Sequence, residues 1–115
     1  MTVRHEEWER FRVYIGEGDC RNGRPLYRYL LEEARRRGLA GATVFKGLAG
    51  FGAGSKIHFA EVFRLSEDLP IIIEIVDTTE KLDDFASFLD EAMDGGMVLR
   101  ESVHVDFYRP SKEHL

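Results

Sequence analysis

A run of six residues, Ile71-Ile-Ile-Glu-Ile-Val76, most constrains the fold of this chain. Its β-branched residues favour an extended strand, and both faces of that strand are apolar except at Glu74. Such a strand has to be covered on both sides, as in the centre of a sheet. Because the chain has 115 residues, it supports one domain around one core. We therefore predict a central strand that helices cover on one side and another subunit covers on the other.

Further strands follow from period-two alternation and from β-branched or aromatic composition. Residues 10–16 alternate between apolar and polar side chains, and residues 97–107 alternate again near the end of the chain. The segment 42–46 is rich in β-branched and aromatic residues. An additional extended piece is predicted for residues 56–65.

Two amphipathic helices lie between these strands. Pro25 is expected at the first helical position of the first helix, and Gly38 ends that helix. Asp77 is the predicted N-cap of the second helix, with Glu80 completing a capping box. Apolar residues at helical spacing are Leu26, Leu30 and Ala34 in the first helix and Leu82, Phe85, Ala86, Leu89, Ala92 and Met93 in the second.

The order of these elements predicts an α+β fold. Two crossover helices on one face of a mostly antiparallel sheet form the ferredoxin-like βαββαβ arrangement. We place an N-terminal extension at residues 1–9, the domain at 10–108 and a loose C-terminal tail at 109–115. The uncovered sheet face needs burial, which predicts a homo-oligomer.

Composition and charge exclude several classes of partner. Sixteen Lys and Arg against twenty-one Asp and Glu make a net charge of −5, which disfavours nucleic acid and anionic lipid as the main partner. Cys20 is the only cysteine, so no intrachain disulfide can form, and the N-terminus does not have the pattern of a secretory signal. No apolar run approaches the roughly 20 residues that cross a bilayer. A cytoplasmic protein without direct membrane insertion is expected.

The glycine-rich run Gly47-Leu-Ala-Gly-Phe-Gly-Ala-Gly-Ser55 lies between two predicted strands. It is not a Walker A loop, because Ala53 stands where the lysine is required and no helix follows. It is not a dinucleotide fingerprint, because strand and helix do not flank it. Two interpretations stay open: a backbone nest that holds an anion with help from Lys46, Ser55 or Lys56, and a bend that needs glycine for geometry alone.

No catalytic or metal-binding motif emerges. The four histidines form no HxH or HxxxH pattern, so no metal site is expected. His58, beside the glycine run, is better explained as a strand residue than as a catalytic base. Cys20 has no histidine near it in the sequence to form a nucleophilic dyad. The acidic residues of the second helix are those of a solvated face: Asp83, Asp84, Asp90, Glu91 and Asp94.

Several segments together resemble the family catalogued as domain of unknown function 190, over about Phe11 to Phe107. That family resembles the PII signalling proteins, and the resemblance implies a trimeric ferredoxin-like regulator that binds adenine nucleotides in clefts between subunits. Because no catalytic motif is found, an enzyme is not expected. The segments that carry the likeness are Tyr14-Ile-Gly-Glu, Gly23-Arg-Pro-Leu-Tyr27, Gly38-Leu-Ala-Gly-Ala-Thr-Val44, Gly47-Leu-Ala-Gly-Phe-Gly52 and Arg64-Leu-Ser-Glu-Asp-Leu-Pro70.

By this likeness, Gly50-Phe-Gly52 is similar to the glycines that enter the mobile T-loop of PII, and residues 47–68 would contact a protein or membrane-transporter partner. No cofactor is implied, but the cleft would take a small ligand such as an adenine nucleotide. The candidate ligand-binding residues are Lys46, Gly50, Gly52, Gly54, Ser55, Lys56, His58, Gly95 and Gly96.

Three positions depart from the PII pattern, and each loses cationic charge. Ala53-Gly54 stands where PII has a basic or polar pair, Asp94-Gly-Gly-Met97 has no lysine, and Ser102, His104 and Asp106 lie where PII has paired arginines. Since a triphosphate depends on charge-assisted hydrogen bonds, an uncharged or less phosphorylated ligand is expected.

Two other hypotheses remain. One is a small enzyme that uses His58 with Glu61 or Glu74 for proton transfer in the same cleft. The other is an assembly module that binds no ligand.

Overall fold

A four-stranded antiparallel sheet with both helices packed on one face forms the body of the protein. The computed structural model describes residues 1–53, 56–60 and 68–111. In chain order the elements are β1 (Val3–Gly16), β2 (Cys20–Arg21), β3 (Arg24–Pro25), α1 (Leu26–Arg36), β4 (Gly41–Lys46), β5 (Ala49–Gly50), β6 (His58–Phe59), β7 (Pro70–Asp77), α2 (Thr79–Ala92) and β8 (Met97–Tyr108).

The strand order in the main sheet is β4-β7-β1-β8, and every neighbouring pair is antiparallel. The helix α1 connects β1 to β4, and α2 connects β7 to β8, so each helix joins two strands that are not adjacent. This order confirms the predicted α+β, ferredoxin-like arrangement.

The strand β7 lies inside the sheet, as its apolar sequence predicts. Ile71, Ile73 and Ile75 point into the helix-covered core and are almost fully buried. Alternate residues of β7, including Ile72 and Glu74, are only partly buried because they lie on the opposite face. That opposite face, which no helix covers, is called the open face below.

The helix α1 buries the predicted stripe of Leu26, Leu30 and Ala34. The expectation that Pro25 occupies the first helical position is wrong by one residue, since Pro25 is the N-cap and the helix begins at Leu26. Proline suits either position for two reasons. Its fixed φ is compatible with the start of a helix, and the N–H that it lacks would have no partner within the helix.

The prediction that Asp77 caps α2 is also wrong by one residue. Thr78 is the N-cap, and its hydroxyl accepts a hydrogen bond from the backbone N–H of Lys81 at 3.4 Å. Asp77 still belongs to β7 and is buried, with its carboxylate accepting the backbone N–H groups of Ala40 and Thr78. The capping box with Glu80 is therefore not formed. The rest of the helix follows the prediction, with Leu82, Phe85, Leu89 and Ala92 buried.

The first strand begins at Val3 rather than at Arg10, so residues 3–9 continue the sheet. Beyond Glu9, which pairs with Asp77, β1 pairs only with β8. We call this two-stranded part, residues 3–8 and 103–108, the terminal ribbon. Most residues of the terminal ribbon are exposed, so its sequence shows no alternation of apolar and polar residues that would predict a strand. Trp8 is an exception: it is buried, and its ring packs on that of Tyr108 with centroids 5.5 Å apart.

The predicted strand at residues 56–65 is only partly within the described residues. His58–Phe59 pairs with Ala49–Gly50 to form a short hairpin, whereas residues 61–67 lie outside the described part, as do residues 112–115 of the predicted tail. Among the described residues, no helix has the length and apolar character needed to cross a membrane.

Candidate functional site

The predicted ligand-binding residues fall into two groups in the fold. One group lies at the end of β4 and in the hairpin of β5 and β6, and the other lies in the turn between α2 and β8. Gly54 and Ser55 lie outside the described residues. The first group contains Lys46, Gly50, Gly52, Lys56 and His58, and the second contains Gly95 and Gly96.

These two groups lie at the same end of the sheet but at opposite edges. Lys46 pairs with Ile71, and Ile71 pairs with Ile15. On the other side of β1, Gly96 directly precedes the residue that pairs with Tyr14. Because three strand spacings separate β4 from β8, the two edges are roughly 14 Å apart. Within one chain, the two groups of candidate residues, called half-sites below, therefore do not lie together in a single enclosed site.

At the β4 edge, glycine is required by the close approach of Pro70. A Cβ on Gly47 would lie 2.7 Å from Cγ of Pro70, and a Cβ on Gly50 would lie 3.0 Å from the same atom. The N–H of Gly47 also donates to the carbonyl of Pro70 at 2.8 Å. At these two positions, the geometric interpretation of the glycine run is sufficient.

Among the described residues, carboxylates lie beside Lys46 and at the neighbouring end of β1. Lys46 Nζ lies 2.8 Å from a carboxylate oxygen of Glu17, so its charge is already paired. The carboxylate of Asp68 accepts the backbone N–H of Gly18 at 2.7 Å, and that of Asp19 accepts the N–H of Gly16 at 2.9 Å. An incoming triphosphate would compete with Glu17 for Lys46.

At the β8 edge, an open groove of about 360 Å³ lies between α2 and β8. The turn beside it requires glycine at Gly96, which has φ +105° and would place a Cβ 2.5 Å from the carbonyl oxygen of Tyr14. In contrast, a Cβ on Gly95 would meet nothing within 4 Å. In the described part of the chain, the lining has two carboxylates and no lysine or arginine; it consists of Ala86, Leu89, Asp90, Met93, Asp94, Gly95, Gly96 and Val98.

The open face of the sheet carries a row of ion pairs. Arg10 contacts Glu101 at 2.9 Å, and Arg12 contacts Glu74 at 3.2 Å. The side-chain hydrogen bond with Tyr14, and then the carboxylates of Glu101 and Glu74, raise the pKa of Arg12. Glu74 is one of the two acids that the enzyme hypothesis pairs with His58. On the open face, its carboxylate already forms an ion pair with Arg12. The other acid of that hypothesis, residue 61, lies outside the described residues.

Large apolar side chains surround this row. Phe45, Met97 and Leu99 are each about half exposed, and the register places all three on the open face, opposite Ile72, Tyr14 and Arg12. An exposed apolar surface of this kind is typical of a face that another subunit covers.

The structure brings together a group of possible metal ligands that the sequence motifs did not identify. His5, His104 and Asp106 place their ligand atoms within 4.8 Å of one another on the terminal ribbon. The two histidines are 99 positions apart in the sequence, so only the pairing of β1 with β8 brings them together. The sequence did contain a pattern that could have identified them: His5-x-Glu7 and His104-x-Asp106 each place a histidine and a carboxylate on the same face of a strand.

Comparison with known proteins shows the family to which the chain belongs. The model of the DUF190 family, described as "Uncharacterized ACR", matches residues 8–105. A protein of Aquifex aeolicus named as a UPF0166 protein is 40% identical over 96 residues, which cover 82% of this chain and 89% of that protein.

Several solved structures with a similar fold are described as PII-like proteins. A putative PII-like signaling protein of Thermus thermophilus has a TM-score of 0.64 at 18% identity, over 90% of this chain and 93% of that one. The protein CPII of Thiomonas intermedia, bound to ADP and bicarbonate, has a TM-score of 0.59 at 18% identity with the same coverage of both chains. At this identity the likeness establishes the fold.

Proposed function

The chain belongs to the DUF190 family and has a PII-like fold, and we propose that it is a trimeric regulatory protein that senses a small ligand between subunits. In this proposal residues 47–68 contact a partner, and the cytoplasm is the compartment in which it acts. The proposal rests on one observation, the division of the candidate site between two edges of the sheet.

Two half-sites at opposite edges and at the same end suit a ring of identical subunits. In a head-to-tail ring, the β4 edge of one copy meets the β8 edge of the next, and the pairing closes after a fixed number of copies. Lys46 and Gly50 of one copy then face Gly95 of the next across one cleft. Three copies would generate three equivalent clefts.

The open face supplies the surface that holds such a ring together. Phe45, Met97 and Leu99 are exposed in one chain and become buried when open faces pack. The ion pairs of Arg10 and Arg12 with their carboxylates lie among them and fix the register of the contact.

For the ligand, we infer an adenine nucleotide with few phosphates. One protein of similar fold, CPII of Thiomonas intermedia, has a structure bound to ADP and bicarbonate. Here, however, Lys46 at the β4 edge is paired with Glu17, and the groove at the β8 edge contains Asp90 and Asp94. Since phosphate binding depends on unpaired donors and cations, AMP or ADP fits this cleft better than ATP.

A partner would bind the hairpin of β5 and β6. Leu48, Phe51, Ile57 and Phe59 are all exposed there, which leaves apolar surface in a short stretch at the edge of the protein. Such a patch marks a protein interaction site, and a membrane transporter or a soluble protein would fit it.

The experiment combines analytical ultracentrifugation with thermal shift measurements on AMP, ADP and ATP. We expect a trimer whose melting temperature rises with AMP or ADP more than with ATP, because a ligand that binds only the folded state stabilises it. A monomer would refute the ring. A trimer that no nucleotide stabilises would favour the assembly module.

A matched pair of glycine variants localises the ligand. At both Gly95 and Gly41, an added Cβ would meet no atom within 4 Å and φ is not positive, so leucine should be tolerated at both for folding. Gly95→Leu fills the groove and should abolish the nucleotide shift, whereas Gly41→Leu, at the far end of β4, should retain it. Because Gly41 pairs with Val76 on the open face, sedimentation velocity first has to show that both variants keep the wild-type mass. Equal shifts in both variants would exclude the groove as part of the site.

A further inference from the structure

The terminal ribbon carries a polar cluster at the end of the molecule opposite the proposed cleft. Glu7 pairs with His104 across the two strands, and the next pair on the same face would be His5 with Asp106. The ladder skips that pair, and His5 has a φ of +52°, which is uncommon for a residue other than glycine. All four side chains are exposed, so water and ions have access to them.

One distance in the cluster matches the separation of two ligands of one metal ion. Nε2 of His104 lies 3.4 Å from a carboxylate oxygen of Asp106. With metal–ligand bonds of about 2.0–2.1 Å, two ligands of a tetrahedral ion are separated by about 3.4 Å. The ring centroids of His5 and His104 lie 5.8 Å apart. The ligand atoms of His5, His104 and Asp106 all lie within 4.8 Å of one another.

A second carboxylate orients the central histidine. Oε2 of Glu7 lies 2.5 Å from Nδ1 of His104, on the side of the ring away from Nε2. Histidines that bind metals usually donate the other ring N–H to a carboxylate, which fixes the tautomer and strengthens the ligand. Glu7 is therefore placed as the positioning residue, with Nε2 of His104 turned to Asp106.

We propose that His5, His104 and Asp106 form a binding site for a divalent transition metal of the zinc type. Two imidazoles with one carboxylate suit Zn²⁺, Cu²⁺ or Ni²⁺ rather than Mg²⁺ or Ca²⁺, which prefer oxygen ligands alone. Three protein ligands leave a fourth position for water or another small ligand.

This site is separate from the proposed nucleotide cleft. Asp106 and Gly96 are ten positions apart along β8 and the preceding turn, which corresponds to roughly 33 Å in an extended strand. Its structural effect is local, because a metal ion would join β1 to β8 where only two strands pair. A two-stranded ribbon alone is marginally stable in water, so a cross-link there should order it.

The test is calorimetric titration of the untagged full-length protein with Zn²⁺, together with the visible spectrum of the Co²⁺ form. We expect one saturable site per chain and the d–d absorption of a Co²⁺ ion with nitrogen and oxygen ligands. His5→Ala, His104→Ala and Asp106→Asn should each weaken binding at least about tenfold, and Glu7→Gln should weaken it about 10–100-fold. His58→Ala is the matched control and should bind as the wild type does.

Folding is checked separately. The replaced side chains are exposed, so each variant should keep the wild-type far-UV spectrum and metal-free melting temperature. Zn²⁺ should slow amide exchange in residues 3–8 and 103–108 of the wild type but not of His104→Ala. Wild-type affinity in His104→Ala, loss of binding in His58→Ala, or no saturable binding to the wild type would overturn the proposal.

Discussion

The carboxylate of Asp77 accepts the backbone N–H of Ala40 at 2.8 Å, which joins the last residue of β7 to the segment that leads into β4. The other oxygen of Asp77 accepts the N–H of Thr78 at 2.6 Å, at the start of α2. One side chain that is only 5% exposed therefore satisfies backbone donors of two elements. An orphaned buried N–H costs free energy, so this contact should matter for stability.

The first prediction concerns that contact. Asp77→Ala should lower the free energy of unfolding by about 1–3 kcal/mol, because it leaves both N–H groups without their acceptor. Thr78→Ala should cost less, about 0.5–1 kcal/mol, since the cap bond to Lys81 is long. Urea denaturation of both variants is the measurement. A larger loss for Thr78→Ala would contradict this ranking.

The second prediction compares two adjacent glycines. Gly96→Ala should lower stability by roughly 1–3 kcal/mol, because φ is positive there and a Cβ would meet the carbonyl oxygen of Tyr14. Gly95→Ala, with open space around its Cβ, should be neutral or raise stability by about 0.4–1 kcal/mol. The melting temperatures of the two variants are the measurement. Equal losses would contradict the positive φ and the close contact with Tyr14 at Gly96.

The third prediction is a pH dependence of stability. Hydrogen bonds from Arg36, the larger contribution, and from Arg37 lower the pKa of Glu33 from 4.5 to about 2. A carboxylate with a lowered folded-state pKa stabilises the protein above its unfolded pKa, and this contribution is lost as the pH falls from about 4.5 to about 2.

Glu33→Gln should therefore reduce stability above about pH 4.5 and have little effect near pH 2. We expect a loss of about 1 kcal/mol, because the partner arginines are partly exposed to solvent. The measurement is denaturant unfolding across this pH range. In an Arg36→Ala, Arg37→Ala background the same substitution should have almost no effect at any pH, and an unchanged effect there would contradict the cause.

The fourth prediction tests the open face. Leu99→Glu places a charge among the apolar residues of that face and should dissociate the oligomer without unfolding the chain, because Leu99 is 45% exposed in a single copy. Leu48→Glu, at an 81% exposed residue of the hairpin, is the matched control and should leave the mass unchanged. Sedimentation velocity measures both. Retention of the full mass by Leu99→Glu would place the subunit contact elsewhere.

Most of the fold could be predicted from local patterns. The stripes of both helices and the central position of residues 71–76 are confirmed, because burial against one face imposes a period on the sequence. The errors lie at element ends and in the two-residue strands β2, β3 and β5, which were not predicted. Alternation could not show that β1 begins at Val3, since residues 4–7 are all exposed and polar residues suit either face there. Asp77 and Thr78 are both good capping residues, and only the end of β7 decides between them.

The sequence alone determined the order of the two helices and of the four strands in the main sheet, and also the family, since all of these depend on residue types at fixed spacings along the chain. The tertiary structure alone decided which distant residues share a surface. The register separates Lys46 and Gly96 onto opposite edges of the sheet, and it brings His5 to His104 across 99 positions. These relationships come from hydrogen bonding between strands, which sets long-range neighbours that no local spacing encodes.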